Sequence, residues 1–431
     1  MKEMPPQIGR LSNLVILQDF FVGKHKDCGI EQLGYLGRLS GELCIHNLEN
    51  AVKASAAAKA DLRGKVHIKK LELRWSEESI RYSPSPSLQH EKNILDQLQP
   101  HTNLEYLEIH GYRDESFPSW LSDPSFSKLV TLILFKCRNS TCLPPLGQLV
   151  SLKELTMYDF ASLEMVGPEF HGSNNYMAFQ SLERLVLSRM PKLKSLPEGI
   201  HSFFSLVDLE IVNCPEIESF PEQGLPLNLK TLVIEGCKKL FAGRKQWPLS
   251  ELPLKSFTIG TWKEVETFPE ESSDTFLPPY LNSLTISGLP NLKTLRLNHL
   301  GYLRELDVRS CGRLKSLPDS MGYDLSFLTV LRLSDCRNLE SLPEEGLPPA
   351  LKVLHVSFCP LLEKRLQPEK GEDWRHILHI RFVTFTSSYS ILPHNQLRQT
   401  TEGSFLVECC CDGFLTALAE SMQDIEDLMM I

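Results

Sequence analysis

Six of this chain's twelve cysteines, Cys137, Cys214, Cys237, Cys311, Cys336 and Cys359, recur in step. Sulfur at regular intervals invites a metal or disulfide reading. Zinc sites pair their ligands about two to four residues apart, whereas these gaps exceed 20 residues and also fit no small disulfide framework. Each of the six instead closes a nine-residue phrase, at a place where cysteine or asparagine turns inward and satisfies backbone groups of the next turn. That reading implies a reducing compartment. His376-Ile-Leu-His379 has a ligand-like spacing, but no carboxylate or cysteine supports it. Cys409-Cys-Cys411 offers metal, lipidation or redox chemistry, or belongs to an unrelated tail. The phosphate loop G-x-x-x-x-G-K-[ST], G-x-G-x-x-G after a strand, the nucleophile elbow G-x-S-x-G and H-E-x-x-H are all missing. No catalytic, cofactor-binding or metal residue is therefore assigned.

The phrase that the cysteines close is L-x-x-L-x-L-x-x-C. It reads Leu206-Val-Asp-Leu209-Glu-Ile211-Val-Asn-Cys214, Leu303-Arg-Glu-Leu306-Asp-Val308-Arg-Ser-Cys311 and Leu328-Thr-Val-Leu331-Arg-Leu333-Ser-Asp-Cys336. Its fourth position falls at Leu107, Leu132, Leu155, Leu185, Leu209, Leu232, Phe257, Leu284, Leu306, Leu331 and Leu354, in steps of 22 to 30 residues. Weaker copies at Leu17, Leu43 and Leu71 bring the total to about fourteen. The period is that of a leucine-rich repeat. Positions 4 and 6 alternate with polar residues, which predicts one short parallel strand per repeat. The prolines of Cys311-Gly-Arg-Leu314-Lys-Ser-Leu317-Pro318 and its relatives predict an irregular or 3₁₀ opposite side. The fold class expected is an α/β solenoid with a curved parallel sheet on the concave side. One Ala-rich helix, within residues 50–65, is expected on the convex side.

The solenoid is expected over residues 1–380, with a mobile insertion at 76–90 and shorter ones at 167–177 and 264–279. Residues 381–431 read as a non-repeat, partly disordered tail with an amphipathic helix at about 413–430. A net charge of −9 without a basic stripe argues against nucleic acid or anionic membrane as partners. No apolar run reaches the ~20 residues of a membrane helix, and residues 1–25 have no signal-peptide core.

Function must then lie on the strand face that turns away from the leucines. Position 7 of successive repeats carries His110, Phe135 and Tyr158, with Tyr106 beside them at position 3. Aromatics in columns ~4.8 Å apart are typical interface anchors, unless neighbouring loops cover them. Farther along, Asp307, Arg332 and His355 occupy position 5, with Glu305 and Arg309 adjacent. Such a ladder either reads a charged partner or pairs with itself in solvent at no more than ~1 kcal/mol per pair.

Several segments go beyond the generic repeat. Cys44-Ile-His-Asn-Leu-Glu-Asn50 precedes the Ala-rich stretch and Ile68-Lys-Lys-Leu-Glu-Leu-Arg-Trp75. Then come Pro100-His-Thr-Asn-Leu-Glu-Tyr-Leu107, Phe117-Pro-Ser-Trp-Leu121, Leu143-Pro-Pro-Leu-Gly-Gln-Leu149 and, last, Gly371-Glu-Asp-Trp374. In this order they resemble the leucine-rich domain of plant coiled-coil nucleotide-binding (NB-ARC) disease-resistance proteins. The resemblance implies a cytoplasmic, non-enzymatic role in innate immunity. The partners implied are a pathogen effector or guarded host protein, and the nucleotide-binding domain of a receptor. By that analogy Tyr106, His110, Phe135 and Tyr158 serve intramolecular docking, while Glu305, Asp307, Arg309, Arg332 and His355 serve recognition.

The sequence departs from that family in carrying no nucleotide-binding or coiled-coil motifs. ADP or ATP would bind only the missing domain, and the chain reads as a fragment or a truncated gene product. A ubiquitin-ligase substrate adaptor is the alternative, although residues 1–40 already read as repeats where an F-box would stand. An extracellular receptor or glycanase inhibitor would need a signal peptide, cysteine-paired caps and many glycosylation sequons; Asn139-Ser-Thr141 is alone.

Overall fold

Each frame folds into a short strand because positions 4 and 6 place two apolar side chains on one pleated face, such as Leu209 and Ile211, both fully buried. The computed structural model describes residues 3–25, 27–76, 89–171, 178–244, 247, 249–269 and 277–386. The chain divides into two compact units, Met1–Leu254 and Lys255–Ile431. The first contains β1 (Asp19–Phe21), β2 (Ser40–His46), β3 (His67–Arg74), β4 (Tyr106–His110), β5 (Thr131–Phe135), β6 (Glu154–Tyr158), β7 (Arg184–Ser188), β8 (Asp208–Val212) and β9 (Thr231–Glu235). These pair in parallel, each with the next. The second unit contains β10 (Ser256–Gly260), β11 (Thr267–Phe268), β12 (Ser283–Ser287), β13 (Thr294–Leu295), β14 (Glu305–Arg309), β15 (Val330–Ser334), β16 (Val353–Ser357) and β17 (Phe382–Thr386). There β10, β12, β14, β15, β16 and β17 form one parallel sheet, and β11 pairs with β13 on the opposite layer.

The layer behind the strands is mostly irregular, with 3₁₀ turns such as Leu146–Gln148 and Ile200–Ser202. Helices are few and short: α1 (Ala54–Ala58), α2 (Gln89–Gln97), α3 (Lys238–Ala242), α4 (Met321–Asp324) and α5 (Pro360–Arg365). This is the α/β leucine-rich-repeat architecture read from the frame. Most of the insertion at 76–90, parts of those at 167–177 and 264–279, and the tail from residue 387 lie outside the described residues. Cys409–Cys411 and the amphipathic segment 413–430 lie outside them too.

Four local expectations are corrected. The Ala-rich segment 50–65 closes only the single turn of α1, because Ala57, Ala60 and Lys65 must all enter the core and Asp61 turns left-handed, with φ 48°. Tertiary packing overrides helix propensity there. In the first turn the register aligns Phe20 with Ile45 and Asp19 with Cys44, so Gln18, and not Leu17, stands at position 4. The frame cysteines do turn inward, but toward the preceding turn: the thiols of Cys214 and Cys237 donate to the carbonyls of Leu187 at 3.6 Å and Ile211 at 3.4 Å. Finally, β17 continues the ladder past residue 380, on the alternation Phe382-Val-Thr-Phe385.

One corner recurs behind position 7. The position-8 residue takes a left-handed backbone in repeat after repeat, at Asn47, Gly111, Lys136, Asp159, Asn213, Ser310 and Asp335 among others. Its N–H then donates to the position-7 carbonyl of the following repeat, as from Gly111 to Phe135 at 2.8 Å. At Gly111 (φ 75°) an added Cβ would lie 2.8 Å from the Trp75 carbonyl, whereas at Gly224 (φ 83°) it would meet nothing within 4 Å. Gly224→Ala is therefore expected to cost only the backbone term, about 1 kcal/mol, and Gly111→Ala about 2–3 kcal/mol. Urea unfolding compares them, and equal losses would show that the carbonyl contact relaxes away.

Candidate functional site

The first candidate surface grows from the position-7 column of β4, β5 and β6. Register places His110 beside Phe135 and Phe135 beside Tyr158. Their rings stack, with centroids 4.8 Å apart at 14° and 4.5 Å apart at 3°. Cations flank the stack: Lys136 lies 5.3 Å from the Phe135 centroid and the Arg189 guanidinium 5.3 Å from that of Tyr158. Tyr106 stands at position 3, donating to Glu108 at 3.0 Å beneath the Lys70 ammonium 4.9 Å away. Burial and the neighbouring Glu108 push its phenol above the ordinary value. All four side chains are half-buried, so the row presents flat π faces and edges at the open side of the sheet.

The second candidate, on β14 to β16, is more self-contained. Register aligns Asp307, Arg332 and His355. Asp307 is buried and accepts from both Nε (2.8 Å) and Nη2 of Arg309. Arg332 reaches Glu305 at 3.3 Å, and His355 Nδ1 meets Thr384 Oγ1 at 2.7 Å. Burial, followed by the charges of Arg332 and Arg309, holds the His355 pKa below its usual value. The five residues therefore come together, with both carboxylates engaged by arginines of their own sheet.

Two groups escaped the sequence reading. Tyr280, Tyr302 and Phe327 each precede the first frame leucine and stay 61%, 55% and 57% exposed. They run in a row, with centroids 5.3 and 6.2 Å apart. In the first unit Ser151, Ser181 and Ser205 hold that frame position and bond the preceding turn's backbone, so aligning the repeats would have revealed the switch. The second group is Asp19, Cys44 and His46, whose donor atoms lie within 4.8 Å of one another, the only such set of three potential metal donors among the described residues. His376 and His379 belong to no such set. The one-residue slip in the first turn had hidden Asp19, since Leu17 at position 4 would have turned it inward. Burial, then Glu72, pushes the Cys44 thiol up to about 12, which disfavours a nucleophilic thiolate there.

Parallel strands stepping by one leucine frame, with inward cysteines and aromatic and charged side chains on the outer face, define a leucine-rich-repeat protein. Its repeats are of the plant disease-resistance kind. Residues 30–160 match the family described as R13L1/DRL21 LRRs, and residues 102–240 match the leucine-rich repeats of the plant disease resistance protein RPS2-like family. The disease resistance RPP13-like protein 1 of Arabidopsis thaliana is 31% identical over 367 residues, 81% of this chain and 32% of its own length. The disease resistance protein RGA4 of Solanum bulbocastanum is 34% identical over 384 residues, 87% of this chain and 37% of its own. The chain thus spans about a third of the length of these relatives. A solved leucine-rich-repeat protein of Leptospira interrogans aligns over 80% of this chain and 90% of its own, at 21% identity and a TM-score of 0.40. Among the described residues, no helix is long and apolar enough to cross a membrane.

Proposed function

We propose that this chain is a non-enzymatic recognition module of plant innate immunity, acting in the cytoplasm. It binds a pathogen effector or a guarded host protein and regulates a nucleotide-binding signalling module. The observation that carries this reading is the stacked row His110, Phe135 and Tyr158, which lies inside residues 102–160, where both disease-resistance repeat families match. A row of flat aromatic faces flanked by cations provides large contact area at low conformational cost, the usual composition of an interface centre. The docking role falls to that row and Tyr106, and the discrimination of ligands to Glu305, Asp307, Arg309, Arg332 and His355.

Co-precipitation from plant extract tests the proposal. Recovery of a nucleotide-binding receptor partner supports it, whereas recovery of a ubiquitin-ligase core would replace it with the adaptor alternative. Phe135→Ala, which leaves the leucine core intact, is expected to weaken the recovered interaction by about 2 kcal/mol, roughly thirtyfold. Affinity unchanged by Phe135→Ala and by Tyr158→Ala would remove the row from the interface.

A further inference from the structure

We propose that Asp19, Cys44 and His46 bind a divalent cation of the zinc type. The register of β1 on β2 sets Asp19 directly beside Cys44, and His46 follows two residues later on the same outward face. His46 Nε2 lies 2.8 Å from Asp19 Oδ1, and Cys44 Sγ lies 4.0 Å from His46 Nδ1. Phe21 stacks on the imidazole at 4.4 Å and 8°, fixing the ring plane. One sulfur, one imidazole and one carboxylate make a donor set that zinc takes readily and that calcium or magnesium does not.

A tetrahedral ion with bonds of about 2.0–2.3 Å holds its donors about 3.3–3.8 Å apart. The present separations run from 2.8 Å for His46 and Asp19 to 4.8 Å at most, so that pair opens slightly and the thiol closes in to complete the site. The ion sits between His46 Nε2 and Asp19 Oδ1, the imidazole proton then resides on Nδ1, and the thiol proton of Cys44 passes to solvent as the Zn–S bond forms. A cavity of about 210 Å³ in front of these donors leaves room for water as the fourth ligand. Two cations, Lys70 and Arg74, line the same cavity, and both are engaged by carboxylates. Lys70 reaches Glu72 at 3.1 Å and Glu42 at 3.6 Å, while Arg74 reaches Glu72 at 2.7 Å and Glu108 at 3.1 Å.

Cobalt(II), a spectroscopic stand-in for zinc, tests the site on the full chain. One equivalent is expected to produce a near-ultraviolet sulfur-to-cobalt charge-transfer band, which added zinc removes. Cys44→Ser should abolish the band, and Asp19→Asn, an exposed position expected to fold normally, should weaken cobalt binding at least about tenfold. Far-ultraviolet dichroism checks that both variants stay folded. The chain carrying Cys409→Ser, Cys410→Ser and Cys411→Ser should keep the band. No band in the wild type, a full band in Cys44→Ser, loss of the band in the triple variant, or unchanged affinity in Asp19→Asn would each overturn the proposal.

Discussion

Replacing Asp373 by alanine is expected to destabilise the second unit by about 3 kcal/mol, among the largest single-residue losses outside the leucine core. The reason lies in what one buried carboxylate holds together. Asp373 Oδ2 accepts from Arg365 Nε at 3.0 Å and Oδ1 from Arg365 Nη2 at 2.9 Å, a bidentate pair at the end of α5. Oδ2 also accepts the Leu342 N–H at 3.1 Å, tying the preceding turn to the same point. The Asp373 N–H in turn donates to the Arg365 carbonyl at 3.0 Å. Alanine leaves the Leu342 amide buried without this acceptor and reduces the guanidinium's carboxylate partners to the exposed Glu372 at 2.5 Å. Arg365 is 36% exposed, and the solvation this allows holds the loss to the lower part of the range for a broken buried pair.

The same carboxylate gives the unit a defined acid sensitivity. Burial alone would raise its pKa, but the Arg365 and Leu342 hydrogen bonds overcome burial and hold it below the ordinary carboxylate value. Its stabilising contribution is therefore complete above the unfolded value of about 3.9 and is lost as pH falls toward the lower folded value. Asp373→Asn should flatten that dependence. Urea unfolding across the acid range and hydrogen exchange of β16 and β17 amides measure both effects. A variant within about 0.5 kcal/mol of wild type would show that the clamp is dispensable.

These contacts mark where legibility in the sequence stopped. The strongest frame copies, from Leu107 to Leu354, all lie in strands, because a period-2 pattern inside each repeat is local and the core enforces it. The side chains of the aromatic row were legible for the same reason: parallel register stacks equal frame positions. That they stand in one column was legible, but which rings stack and what pairs with what was not. Asp307 turning to Arg309, two residues along its own strand, depends on rotamers that a column of letters does not encode. The first turn misled by one residue because Leu17 competes with Phe20 for the core, and only pairing with β2 decides between them. Strand β17 has no leucine frame, yet the edge of β16 offered it hydrogen bonds. The motif Gly371-Glu-Asp-Trp374 was recognised as a signature, while its physical purpose, the Asp373 clamp, needed coordinates.

Lys65 shows the same limit most sharply, and it carries the second large expected effect. It sits in a segment read as helical and is only 2% exposed. Its ammonium donates to the Leu33 carbonyl at 2.7 Å and the Leu36 carbonyl at 3.1 Å, a second, charged donor to each at the C-terminal end of the 3₁₀ helix Ile30–Tyr35. Replacing a whole buried ion pair by apolar groups is often harmless, but here the two carbonyls stay behind. Lys65→Met keeps the aliphatic stem and should cost about 1–3 kcal/mol for the two lost charge-assisted hydrogen bonds, since each carbonyl keeps one backbone N–H donor, from Leu36 at 2.9 Å and from Leu39 at 3.4 Å. Lys65→Ala also leaves a cavity, which should bring the loss to about 3–5 kcal/mol.

The pH dependence of Lys65 runs opposite to the usual expectation for a stabilising lysine. Burial lowers its pKa, only partly opposed by Asp61, so the charged form is disfavoured in the folded chain relative to the unfolded one. Its contribution therefore rises with pH from the lowered folded value up to the unfolded value near 10.4, and falls away as pH drops back through that window. Lys65→Met should lack this rise. Urea midpoints of the two chains on both sides of the window measure it. A Lys65→Met chain as stable as wild type at neutral pH would mean that the Leu36 and Leu39 N–H groups satisfy the Leu33 and Leu36 carbonyls by themselves. The ammonium would then be a tolerated charge and not the cap of that turn.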